Sequence, residues 1–263
     1  MNWFTRKKKR NAAVLASEAH HPLLTESGYW ESSGPSRLVI YSGAGLSVES
    51  GMATFSTDNG LWENHKIEEV CDGQTWRQHR ALVEAFYDSR AQDNVRAKPH
   101  AGHQWCAQAE SEGAALITQN VDTLLERAGA RFVRHIHGRI DQRQCWHCSL
   151  VWEAALHGSK HCPLCKSDDT RVNVVFYKEP APEYANASRT IGGLREKDVL
   201  LVVGTQATVS NPLRWLSGKA QVWVVDPKPS SELLGWPGVV VWEEPASRVG
   251  ETAGQAWERF KRA

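Results

Sequence analysis

The chain has 263 residues, 41% of them hydrophobic, and a formal net charge of +1. That length and apolar content suffice to bury a full core, so the chain reads as globular, with one large domain carrying a smaller insert. The near-neutral balance excludes a surface built throughout for nucleic acid and confines any such role to a local patch.

The patch lies at the N-terminus, where "RKKKR", Arg6 to Arg10, reads as a solvated tail, a nuclear address or a tether to an anionic surface. The apolar residues of the following "NAAVLASEAHH" are too few and too interrupted for a signal peptide or a membrane span, so a cytoplasmic protein without membrane association is expected. Residues 1–34 read as a weakly ordered lead-in and 35–263 as the folded domain. Buried parallel strands are predicted at Leu38 to Tyr41, Ala114 to Thr118, Phe132 to Ile136, Val172 to Tyr177, Val199 to Val203, Val222 to Val225 and Val239 to Trp242. Helices are predicted at His103 to Glu112, Pro182 to Glu196, Asn211 to Gly218 and Glu251 to Arg262. The alternation predicts an α/β fold with a Rossmann-like, doubly wound parallel sheet. Residues 60–99, expected to be helical, and 139–171, rich in cysteine, break the alternation. They read as insertions that together form a smaller helical and zinc-binding domain, with the ligand cleft between the two domains.

Cys71 and Cys106 are isolated and read as small buried hydrophobes. The other four stand in "CWHC" (Cys145, Cys148) and "CPLC" (Cys162, Cys165), with thirteen residues between the pairs. Each CxxC knuckle aims two thiolates at one point, so two knuckles predict a tetrahedral, closed and therefore structural zinc site. Disulfides are the competing reading, disfavoured in a chain with no export signal. His147, His157 and His161 lie in the same module, but the cysteines already complete the ligand shell.

"VIYSGAGLSVESGMATF", Val39 to Phe55, begins as a strand and breaks into glycines and small residues. Gly43 and Gly45 stand where an open parallel sheet binds ligands and where backbone amides can meet phosphate. Val48 occupies the place of the third glycine of the dehydrogenase fingerprint, so the loop alone could equally be a tight turn.

With six further segments the loop resembles the sirtuin family, the NAD-dependent protein-lysine deacylases, over about Arg37 to Ser247, and especially the bacterial-type members with a Tyr-x-x-Arg acyl pocket. "GAGLSVESGMATF" is similar to the first NAD loop, with Gly43, Ala44, Gly45, Ser47, Glu49, Ser50 and Phe55 toward the cofactor. "TQNVD" resembles the nicotinamide and ribose pocket: Gln119 and Asn120 would position the ribose, and Asp122 would accept from the carboxamide. "HGRI" puts His137 at the catalytic histidine, just before the paired knuckles. "VVFYKE" resembles the strand that pairs with substrate peptide, through Val175, Phe176 and Tyr177. "GTQATVSNP" is similar to the second phosphate and ribose loop (Gly204, Thr205, Gln206), "VDPK" to the adenosine-ribose position (Asp226), and "PASRV" to the adenine side (Ala246). "AFYDSR" places Tyr87 and Arg90 at the spacing that in some sirtuins binds the carboxylate of succinyl- or malonyl-lysine. Without the resemblance His137 reads as a surface histidine, Asn120 and Asp122 as a strand-end turn, and Tyr87 and Arg90 as packing and solvated residues.

The resemblance implies NAD and one structural zinc as cofactors, acylated lysine in proteins as substrate, and nicotinamide and O-acyl-ADP-ribose as products. Protein ADP-ribosylation, NAD hydrolysis and non-catalytic NAD or ADP-ribose binding remain open on the same residues. Several positions depart from the family pattern. Ser56 replaces an arginine, Ala53 and Val172 replace prolines, Lys178 a glycine, Gln206 a serine and Asp226 an asparagine. These departures lie around the cofactor and peptide, whereas His137, Asn120 and Asp122 conform.

Overall fold

The structure is a computed structural model and describes residues 36–53, 61–62, 65–154 and 158–262. The basic run, Phe55, Ser56 and His157 lie outside the described residues.

Six strands form one parallel sheet: β1 (Leu38–Ser42), β4 (Ala115–Thr118), β5 (Val133–His135), β9 (Val199–Val203), β10 (Gln221–Val225) and β11 (Val240–Trp242). Their spatial order is β11-β10-β9-β1-β4-β5. β1 is central, pairing Val39 with Ala115 on one side and Leu38 with Val199 on the other. The chain first builds outward through β4 and β5, then returns to the far side of β1 for β9, β10 and β11, which is the Rossmann-like order. Runs such as "VLLVV" form these strands because both faces of a parallel sheet are covered and alternation disappears.

The two faces carry separate apolar layers. Ile40, Leu116, Leu201 and Val225 pack with Cys106 and Ala109 of α3 (Ala101–Ser111) and with the C-terminal segment around Val249 and Ala253. Tyr41, Ile117, Val202 and Val224 pack with Ala187 and Ile191 of α5 (Tyr184–Gly192) and with Leu213 and Leu233. His100 precedes α3 with a capping box, its Nδ1 accepting from the Gly102 amide at 3.0 Å while its backbone amide donates to His103 Nδ1 at 3.3 Å.

A third apolar layer lies outside the parallel sheet. Val70, Trp76, Val83, Phe86 and Tyr87 pack against Ile140, Val172, Val174 and Phe176. The first group comes from α1 (Ile67–Val70), α2 (Arg80–Arg96) and the turn between them; the second comes from an antiparallel sheet and the residues that follow it. In that sheet β6 (Gly138–Cys145) lies between β7 (Val151–Glu153) and β8 (Thr170–Val174). The segment 60–99 is not wholly helical: β2 (Leu61–Trp62) and β3 (His65–Lys66) form a small antiparallel pair ahead of α1.

Two expectations require correction. The predicted strand Val172 to Tyr177 is not in the parallel sheet: it is shifted to Thr170–Val174 and pairs antiparallel with β6. A short apolar run shows that a strand is buried, not which sheet buries it, and here the layer under α2 takes Val172 and Val174. The predicted helix Asn211 to Gly218 is one 3-10 turn, Pro212–Trp215, capped by Asn211 accepting from the Leu213 amide at 2.9 Å.

Candidate active site

The expected site residues collect at the carboxyl ends of β1, β4, β9 and β10, the ligand-binding edge of such a sheet. Two glycine-rich loops cross there. A Cβ on Gly45 would meet Gly204 Cα at 2.6 Å, and Gly204 has a φ of +60°. These glycines are therefore required by loop-to-loop contact as well as by any ligand. The contact is sealed by Gly45 donating its amide to the Gly204 carbonyl at 2.8 Å. Ala44 lies in the 3-10 turn between Gly43 and Leu46.

The polar side chains behind the loops form a connected chain. Asn120 Nδ2 donates to Ser47 Oγ at 3.0 Å, and Ser47 Oγ donates to Asp122 Oδ2 at 2.8 Å. Asp122 Oδ1 accepts from the Leu124 amide at 3.1 Å, so the carboxylate caps the turn after β4 as well as holding the first loop. Burial raises the Asp122 pKa, and the hydrogen bonds from Leu124 and Ser47 oppose that rise. Gln119 Nε2 donates to Thr205 Oγ1 at 2.9 Å and joins β4 to the second loop. Glu49 accepts from the Ser247 amide at 3.0 Å and from Ser247 Oγ at 2.7 Å, which brings the first loop beside buried Ala246. Ser50 faces away, its hydroxyl donating to the Lys98 carbonyl at 2.7 Å. Gln206 Nε2 donates to Asp226 Oδ1 at 3.3 Å and to the Lys228 carbonyl at 2.7 Å. Two residues that depart from the resembled pattern thus meet each other. Burial raises the Asp226 pKa against hydrogen bonds from Lys228 and Gln206.

His137 stands between β5 and β6. Its Nδ1 is 3.0 Å from the Gln119 carbonyl, and its Nε2 is 2.8 Å from the Tyr184 hydroxyl. Burial lowers its pKa below the imidazole value of 6.5, opposed by the Gln119 carbonyl, so the ring is neutral at pH 7. The next residue, Gly138, has a φ of +81°, and a Cβ there would meet the Asn173 carbonyl at 2.0 Å, so the turn into β6 admits only glycine. The Val175 amide donates to the His137 carbonyl at 2.9 Å, joining the end of β8 to the histidine.

Val175, Phe176 and Tyr177 follow β8 as an extended edge. Phe176 is buried; its amide donates to Glu179 Oε2 at 2.9 Å, and Tyr177 exchanges backbone hydrogen bonds with Cys71 and Gly73, each at 2.9 Å. Tyr87 stacks on Phe176, with ring centroids 5.4 Å apart, and its hydroxyl is turned toward Cys71. Arg90 pairs with Asp93 at 2.5 Å. Tyr87 lines a cleft between α2 and β6 with Glu84, Asp88, Ile140, Arg143 and Lys160; Arg90 does not line it, so the two side chains do not converge there.

Cys145, Cys148, Cys162 and Cys165 offer Sγ atoms that all lie within 4.8 Å of one another. Two of the edges, Cys145 to Cys165 and Cys148 to Cys162, are 3.6 Å. A tetrahedron with Zn–S bonds of about 2.3 Å has edges of about 3.8 Å, so the four thiolates fit one structural zinc.

Four positions that contact the expected site residues or their neighbours were not anticipated from the sequence: Tyr184 on His137, Glu179 on the Phe176 amide, Arg171 paired to Glu179, and Asp72. Asp72 receives Lys178 Nζ at 2.5 Å. Only Glu179 carried a signal, as the last residue of "VVFYKE".

A Rossmann-like sheet with crossed glycine loops at its ligand edge, a neutral histidine beside it and a four-cysteine module define an α/β protein of the Sir2 type. The Sir2 family model matches residues 43–211, and the chain belongs to that family. It is 37% identical over 177 residues to an NAD-dependent protein deacylase of Campylobacter jejuni, covering 65% of this chain and 75% of that one. It is 34% identical over 207 residues to one of Aggregatibacter actinomycetemcomitans, covering 75% and 98%. Among solved structures it resembles a mutant Sir2 homologue in complex with ADP-ribose, with TM-score 0.72, 29% identity and coverage of 87% and 92%. It also resembles a Sir2 homologue in complex with NAD, with TM-score 0.71, 28% identity and coverage of 86% and 91%. The amides of Gln119 and Asn120, the hydroxyls of Ser47 and Thr205 and the carboxylates of Asp122 and Asp226 form a donor and acceptor set that suits a dinucleotide at this edge.

Proposed function

We propose that this chain is an NAD-dependent protein-lysine deacylase that removes acetyl and short acidic acyl groups. The observation that carries the reading is the buried imidazole of His137 held by Nδ1 against the Gln119 carbonyl, beside the Asn120–Ser47–Asp122 chain. Family membership and the deacylase relatives support it.

Bound NAD supplies an activated ribose whose nicotinamide can be displaced by the acyl oxygen of a modified lysine. His137 is the general base for the hydroxyl that must then lose its proton. Burial keeps the ring unprotonated at pH 7, and the Gln119 carbonyl holds the hydrogen on Nδ1 so that Nε2 is the basic atom. Asn120 and Gln119 would orient the ribose, Asp122, which holds Asn120 through Ser47, would accept from the carboxamide, and Asp226 would accept from the adenosine ribose. Gly43, Ala44, Gly45, Ser47, Glu49, Gly204, Thr205, Gln206 and Ala246 would surround the dinucleotide, whereas Ser50 turns its hydroxyl to the Lys98 carbonyl. Val175, Phe176 and Tyr177 would lie along the peptide, on an edge fixed by the Val175 amide to His137, the Phe176 amide to Glu179 and the Tyr177 amide to Cys71.

The acidic-acyl part of the proposal rests on Arg90, because Tyr87, three residues before it on α2, is buried with its hydroxyl toward Cys71. Arg90 would exchange Asp93 for the substrate's distal carboxylate, a like-for-like replacement of one charge-assisted pair by another. The test is a panel of acetyl-, malonyl- and succinyl-lysine peptides with NAD. Arg90→Met should lower kcat/KM on succinyl-lysine about 10- to 100-fold, from a contact of about 1.5–3 kcal/mol, and change deacetylation far less. Equal losses on all three peptides would remove the acidic-acyl reading and leave the deacylase reading standing.

A further inference from the structure

The basic nitrogen of His137 is already engaged by a side chain of this protein. With Nδ1 donating to Gln119, Nε2 carries the ring's only available lone pair, and the Tyr184 hydroxyl donates to it across 2.8 Å. Tyr184 is held in that place from three sides. It is the first residue of α5, and the preceding Glu183 forms an ion pair with Arg134 of β5, the strand that leads to His137. Its ring stands edge-on to Trp215 at 5.5 Å, and Trp215 stands edge-on to buried Tyr41 at 6.0 Å. Tyr41 is itself tied by its hydroxyl to the Ser210 carbonyl at 3.2 Å.

We propose that Tyr184 is the second proton-handling residue of the site, a relay through which His137 acts as base; this rests on the reading of His137 as that base. A hydroxyl presented to Tyr184 gives its proton to Oη. In the same step the phenolic O–H bond breaks and its proton bonds to His137 Nε2. The attacking oxygen keeps the electron pair of its former O–H bond and becomes the nucleophile. Tyr184 ends as a neutral phenol, and His137 ends as an imidazolium still donating Nδ1–H to Gln119. No further reactant is required, because a phenol accepts and donates at one atom. The alternative, that Tyr184 plugs Nε2 in the free protein and is displaced, makes the opposite prediction for its removal.

Tyr184→Phe keeps the ring against Trp215 and deletes only the hydroxyl. Three measurements apply: deacylation, nicotinamide exchange, and the ¹⁵N resonances of the His137 ring in protein without NAD. The relay predicts a fall in deacylation of about 10- to 100-fold, at the lower end for acid–base groups since water can partly substitute. It predicts nicotinamide exchange within about threefold of the parent, because exchange precedes the step. It also predicts a shifted Nε2 resonance with Nδ1 still protonated. Unchanged or faster deacylation would overturn the relay and favour the plug. An unmoved Nε2 resonance would overturn the hydrogen bond itself, and parallel loss of exchange and deacylation would mark a merely structural role. His137→Ala separates the two levels of the argument. If it deacylates normally the base reading fails; if it is inactive while Tyr184→Phe is not, only the relay fails.

Discussion

The parallel sheet and the small antiparallel sheet bury their centres by different means. The centre of the parallel sheet is hydrocarbon: Val199, Leu200, Leu201, Val202 and Val203 are all fully buried, with apolar layers on both faces. In the small sheet the apolar layer is joined by a buried cation on the edge strand β8. Arg171 is 2% exposed, its guanidinium 3.5 Å from the Phe176 ring centroid and farther from those of Trp76 and Trp146, at 5.0 and 5.1 Å. It is paired with Glu179 through two hydrogen bonds of 2.9 Å. Beside it Arg143 forms a bidentate pair with Glu84 at 2.8 and 2.9 Å, and the four thiolates close the far end. A hydrocarbon core loses stability in proportion to the volume removed, whereas a core built on charges and metal fails when one partner is missing. The charged core is also the one that carries Val175 to Tyr177, since Glu179 holds the Phe176 amide. Its failure would reach the site without touching the parallel sheet.

The largest effect that would sharpen this contrast is metal removal. Chelation, or Cys145→Ser, should release one zinc per chain and unfold the small sheet, because structural zinc contributes about 10–16 kcal/mol in small modules. Metal analysis together with limited proteolysis should show cleavage confined to 138–178; active protein that contains no zinc would break the comparison. Next is Glu179→Ala, which strands the Arg171 guanidinium in the interior at a cost of about 3–5 kcal/mol. Replacing both partners, Arg171→Met with Glu179→Leu, should cost much less when measured by urea unfolding, whereas in an apolar core two truncations cost more than one. Leu201→Ala in the parallel sheet should cost about 2–5 kcal/mol.

The smallest effect concerns Lys178, which stands at a φ of +65° where the sirtuin pattern has glycine. The left-handed backbone costs a lysine about 1–2 kcal/mol, and its ammonium pairs with the buried carboxylate of Asp72 at 2.5 Å. Because the lysine is half-exposed, the pair returns about 0–1 kcal/mol, so Lys178→Gly should be near neutral in thermal unfolding. The hydrogen bond from Lys178 is the main cause that lowers the Asp72 pKa below 3.8. A depressed carboxylate stabilises the fold above its unfolded pKa and loses that contribution as pH falls through the folded value. Lys178→Gly should therefore flatten the stability profile below about pH 4.

The parallel sheet was legible in the sequence because its strands are continuous branched apolar runs with helical segments between them, and the order of those runs predicts the layers. The zinc site was legible because CxxC spacing carries geometry within itself. The small sheet was not. Val172 to Tyr177 reads like any other buried strand, and nothing local in "TRVNVVFY" assigns it to β6 rather than to the parallel sheet. The contacts that hold the site were hidden for the same reason. Tyr184 meets His137 from 47 residues away and Asp72 meets Lys178 from 106, distances that local pattern cannot span. The glycines of the first loop were read as room for a ligand, but half of their reason is the crossing of Gly45 with Gly204.

The central claim is that His137 at the sheet's ligand edge serves acyl transfer to the ADP-ribose of NAD, with nicotinamide as the leaving group. The most direct measurement is the stoichiometry of products by mass spectrometry when the zinc-loaded protein is mixed with NAD and an acyl-lysine peptide. The account predicts nicotinamide, free-lysine peptide and O-acyl-ADP-ribose in equal amounts, with the last two lost in His137→Ala. Free ADP-ribose with the peptide still acylated, ADP-ribose attached to protein, or NAD left intact would contradict it.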